Sequence, residues 1–250
     1  MYTKSDLIAH LKKSNIEPHG TLKVHISYKA VGDVDGRGDT VLDALMEYMH
    51  GGLLVLPTHT WNWRIVNSEN PVSDALYTKS CVGAITELFR HRPGVHRSLH
   101  PSHSVAAFGK EAAAFVEGDE RVNTPCGFGG CYYKLWERDA QILMIGVGLN
   151  RCTFIHGSEE WDGAENILSA EPRERYVINH AGQRLYAPQY YHISRTGSET
   201  FPKLEAPALA RGILHKGKFG DADTRLMRAK ALRELVAEFL KEDASYLHRY

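Results

Sequence analysis

The chain has 250 residues, 43% hydrophobic and 24% charged, with 30 Lys and Arg against 30 Asp and Glu. That length sustains one large domain or two small ones. The formal charge of zero gives no field for steering onto nucleic acid or an anionic membrane. No apolar run approaches the roughly 20 residues of a spanning helix, and Met1 to Asp6 has no apolar leader. A soluble cytoplasmic protein, with neither nucleic acid nor membrane as a partner, is the expectation.

Taken in chain order, helix and strand signals alternate. Leu7, Ile8 and Leu11 have helical spacing, with Thr3 or Ser5 as a cap. Leu22, Val24 and Ile26 alternate with polar residues, the period of a strand. After a Gly- and Asp-rich loop from Ala30 to Gly38, Asp39 or Thr40 opens a helix carrying Val41, Leu42, Leu45 and Met49 on one face. Gly51-Gly52 closes it, and Leu53 to Leu56 is a buried strand ending at Pro57. A helix fits Ser80 to Arg90, a short strand Ser104 to Phe108, a short helix Lys110 to Glu117, and an apolar strand Ile142 to Val147. Residues 162–205 are polar and aromatic, and Tyr176 to Ile178 pairs with Gln189 to Ile193 in an expected hairpin beside the core. Asp223 to Lys241 has the period of an amphipathic helix.

Short apolar strands separated by helices predict an α/β fold with a mainly parallel central sheet covered on both faces. Residues 162–205 form a small hairpin or irregular insertion within it. In such sheets, sites lie in the loops outside the carboxyl ends of the strands. That rule selects the loops after Ile26, Leu56 and Val147, with the segment before Ser104 as their neighbour.

These loops carry the chemistry. After the first strand come Ser27, Tyr28 and Lys29; after the second come Thr58, His59, Thr60, Trp61, Asn62 and Trp63. After the strand at 142–147, His156 and Glu159 stand one helical turn apart. His91, His96, His100 and His103 fall within thirteen residues, but Pro93, Gly94 and Pro101 break their spacing, and no Asp, Glu or Cys joins them. No metal is expected there. Cys81, Cys126, Cys131 and Cys152 show no CxxC spacing and read as buried, reduced thiols. His103, at the mouth of a strand, is well placed as a general base, since imidazole titrates near neutral pH.

Several of these strings, in one order, resemble the aminoglycoside 3-N-acetyltransferase family. They are Val24-His25-Ile26-Ser27 through Gly32, Leu56-Pro57-Thr58-His59-Thr60-Trp61, and Gly83-Ala84-Ile85 with Arg92-Pro93-Gly94. His100-Pro101-Ser102-His103-Ser104-Val105-Ala106-Ala107-Phe108-Gly109, Ile145-Gly146-Val147-Gly148, and Cys152-Thr153-Phe154-Ile155-His156 with Glu159 complete the set. The resemblance implies a three-layer α/β/α fold in a single domain over residues 1–250, and acetyl transfer from acetyl-CoA to an amine by direct attack, with His103 as the base and Glu159 as an orienting carboxylate. It implies CoA contacts at Ser27, Tyr28, Lys29, Thr58 and Thr124, and acceptor contacts at His59, Thr60, Trp61 and His156. An oxyanion donor would come from backbone amides or Thr58, Thr60 or Thr124.

The chain departs from the family pattern at Asn123 to Cys131, where the residues after Pro125 differ and read as more flexible. Across 162–205, Asp162, Glu165, Glu171 and Glu174 are offset by Arg173, Arg175 and Arg184, which is not the clearly negative surface a polycationic aminoglycoside calls for. An aminoglycoside or related aminocyclitol is the leading acceptor. Another small amine, or an inert ligand-binding relative, is the alternative. A homodimer stays open.

Overall fold

The computed structural model describes residues 1–61, 71–193 and 196–249. It begins with α1 (Lys4–Lys13), capped by Thr3: the Asp6 amide donates to the Thr3 hydroxyl and the Thr3 amide donates to the Asp6 carboxylate. Strand β1 (Thr21–Ile26) and a 3-10 turn over Tyr28–Val31 lead into α2 (Arg37–Tyr48). α2 begins two residues before Asp39, because Gly36 adopts a left-handed conformation (φ 72°) and turns the chain into the helix there. β2 (Leu53–Pro57), β3 (Val72–Asp74) and α3 (Ala84–Phe89) follow. Next come β4 (His96–Arg97), β5 (Val105–Gly109), α4 (Ala112–Val116), α5 (Cys131–Glu137) and β6 (Gln141–Ile145). The remainder holds α6 (Thr153–Trp161), β7 (Tyr176–Ile178), β8 (Arg184–Tyr186) and α7 (Glu205–Ala210). It ends with β9 (His215–Phe219), β10 (Ala222–Arg228) and α8 (Ala229–Glu242).

Among the described residues, seven strands form one sheet in the order β4-β5-β2-β1-β6-β10-β9. The expected α/β/α layering is present, with parallel pairing in the central β2-β1-β6 triplet. Both flanks, β5 and β4 on one side and β10 and β9 on the other, pair antiparallel. Alternate residues of β2 and β6 feed opposite cores. Leu53, Val55, Ile142 and Met144 pack with α5, α6 and α8, while Leu54, Leu56, Leu143 and Ile145 pack with α1, α2 and α3. Strands covered on both faces need apolar residues at every position, hence their unbroken hydrophobic runs. β1 is the exception: Leu22 and Val24 join the second core, but Lys23 and His25 are also enclosed, at 0% and 6% exposure. Its alternation marks a polar interior face and not a solvated one.

Two expectations are corrected. Asp223 to Lys241 is not one helix: its first part belongs to β10, and α8 starts at Ala229. Phe219 pairs with Ala222 across a two-residue loop in which Gly220 takes φ 60°, the glycine-at-first-position hairpin. In the insertion, β7 pairs with β8 and with β3, not with Gln189 to Ile193. A tight turn decides this, because the Asn179 side chain accepts from the Ala181 and Gln183 amides and closes the hairpin early. Gln189 instead bridges Arg173, and His192 bridges Leu168.

Arg97 joins the small β3-β7-β8 sheet to the large one. It is 5% exposed, and its guanidinium donates to the carbonyls of Thr58, Ala75 and Thr78 and to the Ser104 hydroxyl. Burial pulls its pKa down to about 10, which leaves it charged at neutral pH. Arg97→Ala strands the Ala75 and Thr78 carbonyls and leaves Thr58 O with the Ser104 hydroxyl alone, and the expected loss is about 3 kcal/mol of stability. The check is the urea midpoint, and an unchanged midpoint contradicts the role given to Arg97.

Candidate active site

The carboxyl ends of β1, β2 and β6 lie side by side, and the segment before β5 arrives at the same end because β5 runs antiparallel to β2, with Val105 opposite Pro57. The ladder continues past the strands: the Thr58 amide donates to Ser104 O at 2.8 Å and the Thr60 amide to Ser102 O at 2.7 Å. This fixes the His59 and His103 backbones on adjacent chains. Gly146 (φ 64°) follows β6, where a Cβ would fall 2.3 Å from the Ala30 Cβ. Only glycine lets that turn pack against the one after β1.

A cavity of about 580 Å³ opens at these strand ends, lined by Ser27, Tyr28, Lys29, His59, Trp61, His103, Arg151 and His156 among others. A second, of about 320 Å³, lies toward the insertion and is lined by Ser102, Pro125, Arg173, Arg175, Gln189, Tyr190, Tyr191 and His192. His103 and Trp61 line both. Asn62 and Trp63 of the same loop lie outside the described residues.

Hydrogen bonds give the histidines unequal roles. His100 is 3% exposed and spends both nitrogens: Nε2–H donates to Thr124 O, and Nδ1 accepts from the Ser102 and His103 amides. It therefore builds the turn. His59 accepts from the Trp61 indole at Nδ1 (3.0 Å), so its Nε2 carries the proton and donates to the Tyr132 hydroxyl at 2.8 Å. His103 has Nδ1 3.0 Å from the Ser102 hydroxyl, and within the described residues its Nε2 makes no hydrogen bond. The His103 ring stands 4.7 Å from that of His59 and 5.9 Å from that of His192. Burial, reinforced by the neighbouring imidazoles, holds the His103 pKa well below the usual histidine value. At neutral pH it is an unprotonated base.

The structure places Ser27, Tyr28, Lys29, His59, Trp61, His103 and His156 around one cavity. Thr58 and Thr60 lie beneath its floor, 0% and 2% exposed, with hydroxyls bonded to Ser104 and to Pro101 O. Thr124 lies away from Ser27 to Lys29 in neither cavity lining, and its hydroxyl donates to Glu160 at 2.6 Å. Glu159 is not brought to His103. It is 1% exposed, bonds His156 Nδ1 at 2.9 Å and faces His248 at 3.3 Å. Burial pushes Glu159 up to about 8 and His156 well down, so the pair is held as a carboxylic acid donating to a neutral imidazole. The 123–131 loop, read as flexible, is anchored by the Cys126 amide on Glu160 and the Trp161 indole on Cys126 O.

Sequence reasoning missed Ser102, Tyr132, Glu160, Arg173, Arg175 and His192 as parts of the site. Glu160 accepts from His192 at 2.8 Å as well as from Thr124. Of the expected buried thiols, Cys126, Cys131 and Cys152 are buried, whereas Cys81 is half-buried and lines the large cavity. Burial keeps Cys126 and Cys131 well above the usual thiol range and pushes Cys152 up to about 12, so these three are thiols and not nucleophiles. Among the described residues no group of three His, Cys, Asp or Glu side chains is placed to hold a metal ion, and no helix is long and apolar enough to cross a membrane.

The α/β/α fold brings two cavities together at the His103 imidazole. The chain belongs to the aminoglycoside 3-N-acetyltransferase family, whose model matches residues 24–241, and is an acyltransferase. It is 25% identical to aminoglycoside N(3)-acetyltransferase VII of Streptomyces paromomycinus, over 96% of this chain and 92% of that protein. It is 26% identical to the SPbeta prophage-derived aminoglycoside N(3')-acetyltransferase-like protein YokD of Bacillus subtilis (strain 168), over 90% and 87%. The solved structure of AAC-IIIb with CoASH has the same fold, with a TM-score of 0.85 at 21% identity, over 96% of this chain and 97% of that one.

The histidine burial has a thermodynamic consequence. His25, His59, His103 and His156 all have folded pKa values below 6.5, so the unfolded chain binds more protons as pH falls through that value. Their contribution to stability is complete above about 6.5 and is lost below it. Glu159, raised, has the opposite sign between about 4.5 and 8, but it is one group against four. The melting temperature should fall by about 5 °C or more from pH 7.5 to pH 5.5. A flat or rising profile over that interval contradicts the assignment.

Proposed function

We propose that the protein is an acetyl-CoA-dependent N-acetyltransferase acting on an amine of an aminoglycoside or related amino sugar, with His103 as general base. The carrying observation is that His103 lines both cavities and presents an Nε2 with no hydrogen bond inside the described residues. The larger cavity fits the donor: Ser27 has a hydroxyl not used for capping, and Lys29 and Arg151 supply cations for phosphate oxygens. Bound there, acetyl-CoA supplies the activated acyl thioester.

The chain's own residues then handle the amine. An ammonium has no lone pair, so it must lose a proton before it attacks. In the tautomer with Nδ1–H donating to the Ser102 hydroxyl, Nε2 keeps its lone pair toward the cavities and takes that proton. Ser102 is thus a positioning residue, in the place a carboxylate holds behind many catalytic histidines. The Glu159 role is best read as structural, through His156 in the cavity wall. Thr58 and Thr60 shape the loop that carries His59 and Trp61. Direct transfer is favoured over a cysteinyl intermediate because no cysteine matches a motif position of the family, and Cys126, Cys131 and Cys152 are held as buried thiols. One observation favours a second reading of the acceptor as a different small amine. The described lining of the insertion-side cavity contains two arginines and no carboxylate.

His103→Ala should fold normally, bind acetyl-CoA by calorimetry, and lose about 10²- to 10⁴-fold in kcat. Ser102→Ala should lose about tenfold and shift the acid limb of the kcat profile, because it alters the imidazole's partner and not the base itself. A fully active His103→Ala enzyme removes the proposal.

A further inference from the structure

Trp61 lines both cavities and is 45% exposed, so packing alone holds its ring weakly. A hydrogen bond orders it: the indole N–H donates to His59 Nδ1 at 3.0 Å. An acceptor at Nδ1 requires the proton on Nε2, and that N–H donates to the Tyr132 hydroxyl at 2.8 Å. Both nitrogens of His59 are thereby committed. The ring transmits position and does not move a proton.

Tyr132, on α5, is the inner end of this chain of bonds. It is 2% exposed and lines neither cavity. Burial holds its hydroxyl well above the usual phenol value, so it stays neutral. Its ring is faced by Lys23 Nζ, 5.2 Å from the ring centre and enclosed without a hydrogen bond within the described residues. The ring is therefore fixed in the core, and its hydroxyl reaches His59. Without that hydroxyl the buried His59 Nε2–H has no acceptor, which is costly. The imidazole relieves the cost by turning, and turning carries Nδ1 away from the indole. Trp61 then loses its fixed orientation. His103 is outside this chain, because its own hydrogen bond goes to Ser102.

We propose that Tyr132 is a positioning residue that sets acceptor binding: through His59 it holds the Trp61 indole as the wall against which the amine seats beside His103. This rests on the N-acetyltransferase reading and adds to it a residue that touches neither substrate.

The test compares Tyr132→Phe, Trp61→Phe and the double variant, with kanamycin and glucosamine as the amines and CoA release as the readout. In Tyr132→Phe the KM for the amine should rise about tenfold with kcat reduced less, and calorimetric acetyl-CoA binding should be retained. A partly unfolded enzyme loses kcat and keeps its KM, so this split separates positioning from stability. The double variant should match Trp61→Phe, because both changes break one chain. The acid limb of the kcat profile should stay in place, since His103 keeps its Ser102 partner. The indole N–H resonance that Trp61→Phe removes should move upfield in Tyr132→Phe. Tyr48→Phe, which deletes a hydroxyl bonded to Ile16 O, should change neither KM nor that resonance. Where Tyr132→Phe does not fold, His59→Asn breaks the same link from the other end and should raise KM likewise. An unchanged KM, additive effects, a shifted acid limb or an unmoved indole resonance overturns the inference, as does an equal effect of Tyr48→Phe. Failure of the unmutated enzyme to bind acetyl-CoA or to turn over either amine overturns the underlying reading instead, and the indole resonance then decides the link by itself.

Discussion

The site depends on one buried cation. Arg97 lies at the end of the two-residue edge strand β4 and is solvated by the carbonyls of Thr58, Ala75 and Thr78 in place of water. A guanidinium that stays charged in the interior needs several fixed dipoles, and here those dipoles are the backbone of the loops that form the cleft. The Thr58 carbonyl starts the His59–Trp61 loop and also accepts from the Ser104 hydroxyl, next to His103. The carbonyls of Ala75 and Thr78 anchor the stretch between β3 and α3. Sheet edge, histidine loop and insertion thus share one set of hydrogen bonds, so their relative positions are set together.

Strand direction does the rest. A cleft at the carboxyl ends of parallel strands follows from their shared polarity, but His103 precedes its strand and would lie at the wrong end of a parallel β5. The antiparallel pairing of β5 with β2 brings the histidine turn round to the cleft. This is also where the sequence was least explicit. Runs such as Leu53 to Leu56 and Ile142 to Ile145 announce burial on both faces, yet an apolar run carries no information about the direction of its neighbour. The core strands and α1 were legible because their periods are strong. The β9-β10 hairpin was not, because Leu226, Ala229 and Leu232 extend a helical spacing through a strand, and only Gly220-Asp221 signals the turn. Ser27 to Lys29, His59, Trp61, His103 and His156 were legible as loop chemistry at strand ends. His192, Arg173 and Arg175 were not, since they reach the cleft through pairings of the insertion that no local pattern encodes.

The polar interior explains the histidines better than a metal or a charge network does. Three buried imidazoles have hydrogen-bond patterns that suit the neutral form: His59 between an indole and a phenol, His100 between two amides and a carbonyl, His156 against a protonated carboxyl. Neutral rings avoid the cost of burying several positive charges together. Lys23 obeys the same constraint. Enclosed on β1, 5.2 Å from the Tyr132 ring centre, it has its pKa lowered to about 7 by burial. His103, between the cavities, differs from these in that its Nε2 makes no hydrogen bond within the described residues.

That division also separates the formal charges. Within the described residues, Lys29 and Arg151 stand at the strand-end cavity and Arg173 and Arg175 at the insertion-side one, while in the wall Glu160 accepts from His192 and Glu159 is a protonated carboxyl against His156. The strand-end opening therefore favours negative charge on what enters it, as a phosphorylated donor carries.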